Sequence, residues 1–248
     1  MSSYGAFSGV YDLLMDDVDY PAWAEYYLEL IRRSGVDPCS VCDCACGTGS
    51  LTVQFAKRGL KVVGVDRSAE MLEIASEKAR KAGTQILFVR QDMSKLTLPK
   101  PVDAIICGCD GVNYLTTPSR LADFFQRARQ SLRVGGVLTF DISSPYKLKD
   151  VLGNNDFTEI RDNVAYIWYN RYVEEHETLE MELTFFQKEP NGLYRRFDEN
   201  HVQKAHAPEL LKRMLEQNGF SSVGVYGDRN FSVPDENALR IHFSAVRM

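Results

Sequence analysis

The segment Val41-Cys-Asp-Cys-Ala-Cys-Gly-Thr-Gly-Ser50 constrains the chain more than any other. A short apolar run enters a turn of small residues and opens at once into an amphipathic stretch, 51–58, stopped by Gly59. Small residues at 45, 47 and 49 let the backbone turn tightly and let a ligand approach the helix that follows. The same unit then repeats. Strands are expected at 41–45, 61–65, 85–89, 103–107 and 137–141, with intervening helices at 68–82 and 118–132. Ser68 caps the first of these helices, with Glu70 in its first turn and Gly83 as its stop. Alternation of this kind means a parallel sheet covered by helices on both faces. The continuous apolar run Ala104-Ile-Ile-Cys107 suits a strand buried on both sides.

The flanks of this core read differently. Two amphipathic helices precede it, 4–15 with Phe7, Val10, Tyr11 and Leu14, and 20–33 with Trp23, Tyr27, Leu30 and Ile31. After Ser143 the pattern turns β-rich at 164–173, 178–187 and 192–202, with the hairpin signal Pro190-Asn-Gly192 between the last two. Three antiparallel strands inserted here make a flap. A helix at 208–217 and two strands near 222–226 and 239–246 close the chain. The domain organisation expected is one domain: a helical cap at 1–38, a core at 39–143 and 207–248, and a β-rich lid at 144–206.

Charge and cysteine usage exclude several functions. A net charge of -5 with no cluster of lysine and arginine argues against a nucleic-acid partner. The opening Met1-Ser-Ser-Tyr-Gly5 lacks the pattern of a secretory leader, and no apolar run approaches membrane-spanning length, so a cytoplasmic protein without a membrane partner is expected. Cys39, Cys42, Cys44 and Cys46 crowd together, but their spacing matches neither zinc knuckles nor ferredoxins. They read as small apolar fillers of a buried strand, and no metal is expected.

Two nucleotide signatures fail at the opening turn. After Gly47 and Gly49 the dinucleotide fingerprint requires glycine at 52, where Thr52 stands, and the phosphate-loop lysine is missing. Asp43 would also repel a diphosphate; a carboxylate there suits a cation. Asp66 ends the second strand, where an acidic side chain can accept hydrogen bonds from both hydroxyls of a ribose.

With Asp43, Ala45, Gly47 and Gly49 in the turn, the chain resembles class I S-adenosylmethionine-dependent methyltransferases, whose first motif reads Asp/Glu-x-Gly-x-Gly-x-Gly. It departs from that motif at Ala45, which keeps a small side chain. The resemblance implies an α/β fold: a Rossmann-like, doubly wound, mostly parallel seven-stranded sheet with an N-terminal helical cap and an inserted antiparallel flap. It implies S-adenosyl-L-methionine as cofactor, Asp66 on the ribose, Met71 against the adenine, and Asp92, beside Met93, at the adenine amino group. Gly135-Gly136 fits the family pattern before the fifth strand. Asp110, Asn113 and Tyr114 follow the fourth strand, where the family borders both the methionine moiety and the acceptor. Tyr4, Phe7, Tyr11-Asp12 and Tyr20-Pro-Ala-Trp23 are similar to the aromatic cap of small-molecule methyltransferases, including glycine-type N-methyltransferases and uncharacterised bacterial relatives. Tyr11 and Trp23 then line the transfer chamber.

The expected activity is methyl transfer to a small molecule by in-line displacement, a reaction served by positioning and water exclusion. A base is needed only if the acceptor arrives protonated, and Tyr11, Tyr146, His201 and His206 are the candidates. Arg171 and Arg195 on the flap are candidates for an acceptor carboxylate. The rival readings are an NAD(P)-dependent oxidoreductase, a nucleic-acid methyltransferase and a noncatalytic cofactor-binding protein of the same fold. Monomer and homodimer both remain open.

Overall fold

The computed structural model describes residues 8–248, so Tyr4 and Phe7 lie outside the described residues. The described residues open with α1 (Ser8–Leu14) and α2 (Tyr20–Arg33). Asp19 caps α2 by accepting from the Ala22 N–H at 3.0 Å, and Pro21 occupies the first turn, where no backbone donor is needed. The core then alternates: β1 (Ser40–Cys44), α3 (Ser50–Lys57), β2 (Lys61–Asp66), α4 (Ala69–Lys81), β3 (Ile86–Arg90), β4 (Val102–Cys107), α5 (Pro118–Ser131) and β5 (Leu132–Ser143). Ser68 caps α4 through the Met71 N–H at 3.2 Å, as the sequence predicts.

Among the described residues, seven strands form one sheet in the order β10-β11-β5-β4-β1-β2-β3, where β10 is Phe220–Tyr226 and β11 is Arg240–Arg247. Pairing is parallel from β5 through β3 and antiparallel at β11 and β10. The chain winds from β1 outward through β2 and β3, then returns to place β4 on the other side of β1. That reversal opens a crevice at the carboxyl ends of β1 and β4, the usual ligand position in such sheets. Side chains alternate across the sheet. Ala104 and Ile106 pack towards α2 and α3 with Trp23, Tyr27, Leu51 and Phe55. Ile105 and Cys107 face α5 and α6 (Pro208–Gln217), among Phe124, Phe125, Phe140 and Leu211. Cys42 and Cys44 belong to this second core, which fits their reading as apolar filler.

The flap is a separate antiparallel sheet of four strands, not the three expected: β6 (Asp156–Ile160), β7 (Val164–Val173), β8 (Thr178–Lys188) and β9 (Tyr194–Lys204). The missed strand is five residues long, and its polar alternation Asp-Phe-Thr-Glu-Ile carries little hydrophobic signal. It is extended because β7 pairs with it along its whole length. β5 also runs longer than expected at both ends, with its register against β4 shifting between Val102 and Ala104. Both differences come from pairing with neighbours, which outweighs local preference at sheet margins.

Candidate active site

A cavity of about 490 Å³ lies over the β1/β4 crevice, roofed by α1, α2 and the inner face of the flap. Its floor begins with the opening turn. Ala45 sits at φ 56°, Gly47 at 53° and Gly49 at 73°, so three backbone positions within five residues are left-handed. Gly49 must lack a side chain, because a Cβ there would meet the Ala75 Cβ at 2.8 Å. Gly47 lines the cavity, and nothing lies within 4 Å of where its Cβ would stand.

Three carboxylates stand at successive strand ends. Asp43 is buried on β1, and its Oδ2 accepts from the Thr52 hydroxyl at 2.5 Å. The residue that replaces a third glycine therefore pins the acidic side chain of the turn. Burial pushes the Asp43 carboxyl up to about 7, against the Thr52 hydrogen bond and with help from nearby Asp66. Asp66 ends β2 and accepts from the Gly47 N–H and the Ser68 N–H, both at 2.9 Å, so it ties the opening turn to the next helix. Burial raises its carboxyl despite these two donors. Asp92 follows β3 and accepts from the Ser94 N–H at 2.9 Å, its hydroxyl at 2.8 Å and Arg120 at 2.7 Å. Burial opposes its ionisation, but Ser94 and Arg120 together hold it below the ordinary carboxylate range.

The cavity wall beyond β1 is built from distant segments. Asp110 follows β4 in a left-handed conformation at φ 55°, immediately after Cys109 at 54°. It accepts from Arg240 at 2.9 Å and from Gln203 on the flap at 2.8 Å. Arg240, at the start of β11, also donates to buried Asp141 on β5, which accepts in addition from the Tyr27 hydroxyl and from the Asp110 N–H at 2.9 Å. The guanidinium lies 5.2 Å from the Trp23 ring centre, within cation–π reach. Burial opposes the charge on Asp110, yet Arg240, Lys147 and Gln203 hold its carboxyl below the ordinary range.

The cavity gathers most of the residues expected from the sequence. Tyr11, Trp23, Asp43, Ala45, Gly47, Asp66, Met71, Asp92, Met93, Asp110, Tyr114 and His201 all line it. Asn113, Tyr146, Gly49 and His206 are not among the lining residues. Asn113 is fully buried and stitches the chain together: its amide donates to the carbonyls of Ser143 and Lys204, and its oxygen accepts from the Ser143 N–H. Tyr146 is displaced by a single step along a helical turn, which hands the cavity position to Lys147. Gly49 shapes the turn from beneath. Arg171 and Arg195 likewise stay outside, bonded to Glu180 at 2.5 Å and Gln187 at 2.8 Å.

Two of the proposed bases remain at the cavity wall, in different states. Burial, reinforced by Cys109 and Tyr20, raises the Tyr11 phenol far above its ordinary range, so it stays protonated and can donate. Burial and the charge of Arg67 depress His201 to about 4, so its imidazole is neutral near pH 7. Its Nδ1 lies 3.4 Å from the Tyr114 hydroxyl. Sequence reasoning assigned no role to Lys147, the neighbour of the candidate base Tyr146, and missed Gln203 and Arg240, which belong to no motif. It also missed the clasp on α1, where Asp12 takes the Thr48 hydroxyl at 2.7 Å and pairs with Lys78 on α4 at 2.8 Å.

Comparison with known proteins agrees with this geometry. A family model described as a methyltransferase domain matches residues 41–136, the stretch from β1 to the start of β5. A protein of Geobacillus sp. (strain WCH70) named as a methyltransferase is 33% identical over 99% of this chain and all of its own length. The crystal structure of an S-adenosylmethionine-dependent methyltransferase from Clostridium acetobutylicum superposes with a TM-score of 0.89 at 32% identity, covering 98% of each chain. The dTDP-3-amino-3,4,6-trideoxy-alpha-D-glucopyranose N,N-dimethyltransferase of Streptomyces venezuelae is 28% identical over 78% of this chain and 81% of its own. The chain belongs to the class I S-adenosylmethionine-dependent methyltransferases. The site suits that cofactor, since spaced carboxylates, an open glycine turn and an apolar wall match a molecule that carries cations and a ribose but no phosphate. Among the described residues, no helix is long and apolar enough to cross a membrane.

Proposed function

We propose that the protein methylates a small-molecule acceptor held between the glycine turn and the flap. The observation that carries this reading is the row Asp43, Asp66 and Asp92 along one cavity, at the ends of β1, β2 and β3. In it, Asp43 faces the cationic methionine moiety, with Ala45, Gly47 and Gly49 shaping the turn beneath. Asp66 takes the ribose hydroxyls, while Met71, Asp92 and Met93 hold the adenine. Bound there, S-adenosylmethionine would supply an electrophilic methyl for in-line transfer to the acceptor's lone pair, with S-adenosylhomocysteine as the product.

The chain's own residues position the partners and exclude water. Tyr11 and Trp23 close the cavity from the cap, and an oriented, dry pair of reactants can supply roughly 7 to 11 kcal/mol of the barrier reduction. Neutral His201 is the group placed to take a proton when the acceptor arrives protonated. Asp110 lies where the cofactor's methionine moiety and the acceptor would meet, with its carboxylate committed to Arg240 and Gln203. A small acceptor is supported by the size of the cavity under the flap, about 490 Å³, and by the amino-sugar substrate in the name of the Streptomyces venezuelae relative.

Calorimetric titration with S-adenosylmethionine, S-adenosylhomocysteine and NADH tests the cofactor assignment. A labelled-methyl screen over amines, carboxylates and phenols then tests turnover. Saturable binding of the first two ligands and label on a small acceptor are expected. Binding of NADH alone, or no label on any of these acceptor classes, would sink the proposal.

A further inference from the structure

The strand order lays the site out as two halves. From β1 to β3 the edge carries Asp43, Asp66 and Asp92; from β4 through β5 to β11 it carries Asp110, Lys147 and Arg240. Neighbouring strands lie about 4.8 Å apart, so β5, two strands from β1, lies about 10 Å from the cofactor half. Arg240 starts β11 directly opposite Ser143, the last residue of β5, and Lys147 opens the wide helical turn Lys147–Val151 just beyond. Both cations therefore sit on the half that the cofactor reading leaves for the acceptor.

Their partners differ. Arg240 is paired with two carboxylates, Asp110 and Asp141, and Arg120 at the far end is paired with Asp92. The Lys147 ammonium lines the same cavity and donates to the Ser143 hydroxyl at 3.3 Å, with no carboxylate among the described residues within salt-bridge reach. Asp110 and Asp141 are turned to Arg240 instead. Burial depresses the Lys147 ammonium and Arg240 adds to that, while Asp110, Asp141 and Asp228 pull the other way. A sequestered ammonium without a contacting anion is costly, and a ligand anion would relieve that cost. Beside it the wall is apolar, with Leu152 from the same turn and Trp168, Met181 and Leu183 from the flap.

Building on the methyltransferase reading above, we infer that Lys147 anchors an anionic group of the methyl acceptor. The acceptor then joins a carboxylate or phosphate to an apolar body. The test uses the full chain saturated with S-adenosylhomocysteine, titrated calorimetrically with benzoate, phenyl phosphate and neutral benzamide. At least one anion binds wild type, and the tighter of the two identifies carboxylate or phosphate. Lys147→Met weakens that anion at least about tenfold, the size expected for one charged hydrogen bond, and leaves benzamide and S-adenosylhomocysteine unchanged. Lys147→Arg keeps the anion within about threefold, because arginine retains the charge but does not surrender a proton.

Three results would overturn the inference: neither anion binding the wild-type complex, Lys147→Met binding both anions like wild type, or Lys147→Met losing S-adenosylhomocysteine instead. The last would assign Lys147 to the cofactor's own carboxylate. If Lys147→Met does not fold, NMR titration of the Lys147 side chain in wild type decides, since the bound anion must raise its pKa and an unmoved pKa refutes the anchor. Absence of S-adenosylhomocysteine binding in wild type would instead remove the cofactor reading beneath it.

Discussion

The two halves of the cavity are stabilised by different means. On the cofactor side the partners are nearer in sequence: Asp66 is held by the N–H groups of Ser68 and Gly47, 2 and 19 residues away, Asp92 by Ser94 and Arg120, 2 and 28 residues away, and Asp43 by Thr52 on the adjoining helix. On the acceptor side, Asp110 is held by Gln203 and Arg240, which lie 93 and 130 residues away in sequence. A locally braced half can be kept while the other is rebuilt by changing the flap and β11.

Breaking the long-range half has the largest effect. Asp141→Ala leaves Arg240 buried with half its partners gone, and a loss of about 3–5 kcal/mol in unfolding free energy is expected from chemical denaturation. Wild-type stability in this variant would mean that the Arg240 cluster is not structural. Breaking the local half instead costs ligand. Asp66→Ala is expected to weaken S-adenosylhomocysteine by about 1.5–3 kcal/mol, read by calorimetry, with a smaller change in melting temperature. Equal losses in both readouts would erase the proposed division between the halves.

Acidity sharpens the comparison further. A carboxyl at about 7 must be ionised to meet a cation, so ligand affinity rises with pH and levels off above 7. Between pH 6 and pH 8 the gain for S-adenosylhomocysteine reaches up to about tenfold, and Asp43→Asn flattens the profile. A profile that persists in Asp43→Asn would assign the titration to another group. The smallest effect is expected at Ala45, whose φ of 56° is costly for any residue with a Cβ. Ala45→Gly should gain about 1 kcal/mol in thermal or chemical unfolding, and a loss would show that the alanine methyl packs usefully against the turn.

The same division decides what the chain reveals before it folds. Asp43, Asp66 and Asp92 each sit at the close of an apolar run, so periodicity alone delivers them to one edge of a parallel sheet. The alternating core was legible for that reason, and so was the flap's central hairpin with its Pro190-Asn-Gly192 turn. Gln203 and Arg240 belong to no motif, Lys147 is set apart from its neighbour Tyr146 by nothing in the sequence, and only strand pairing and flap closure bring the three together. Asn113 shows the converse difficulty. A polar residue after a strand looks the same whether it meets a ligand or, as here, binds the backbone at Ser143 and Lys204. Tyr146 and Lys147 are one position apart on a helical turn, and the rotation of that turn decides which one reaches the cavity.

The account rests on the cofactor lying across β1 to β3 and leaving the β4, β5 and β11 edge to the acceptor. A crystal structure of the chain with S-adenosylhomocysteine tests this most directly. The ribose hydroxyls should lie within hydrogen-bond distance of the Asp66 carboxylate, with the adenine between Met71 and Asp92 and open space between the sulfur and Lys147. A ligand whose ribose lies away from Asp66, or whose body fills the space beside Lys147 and Arg240, would contradict it.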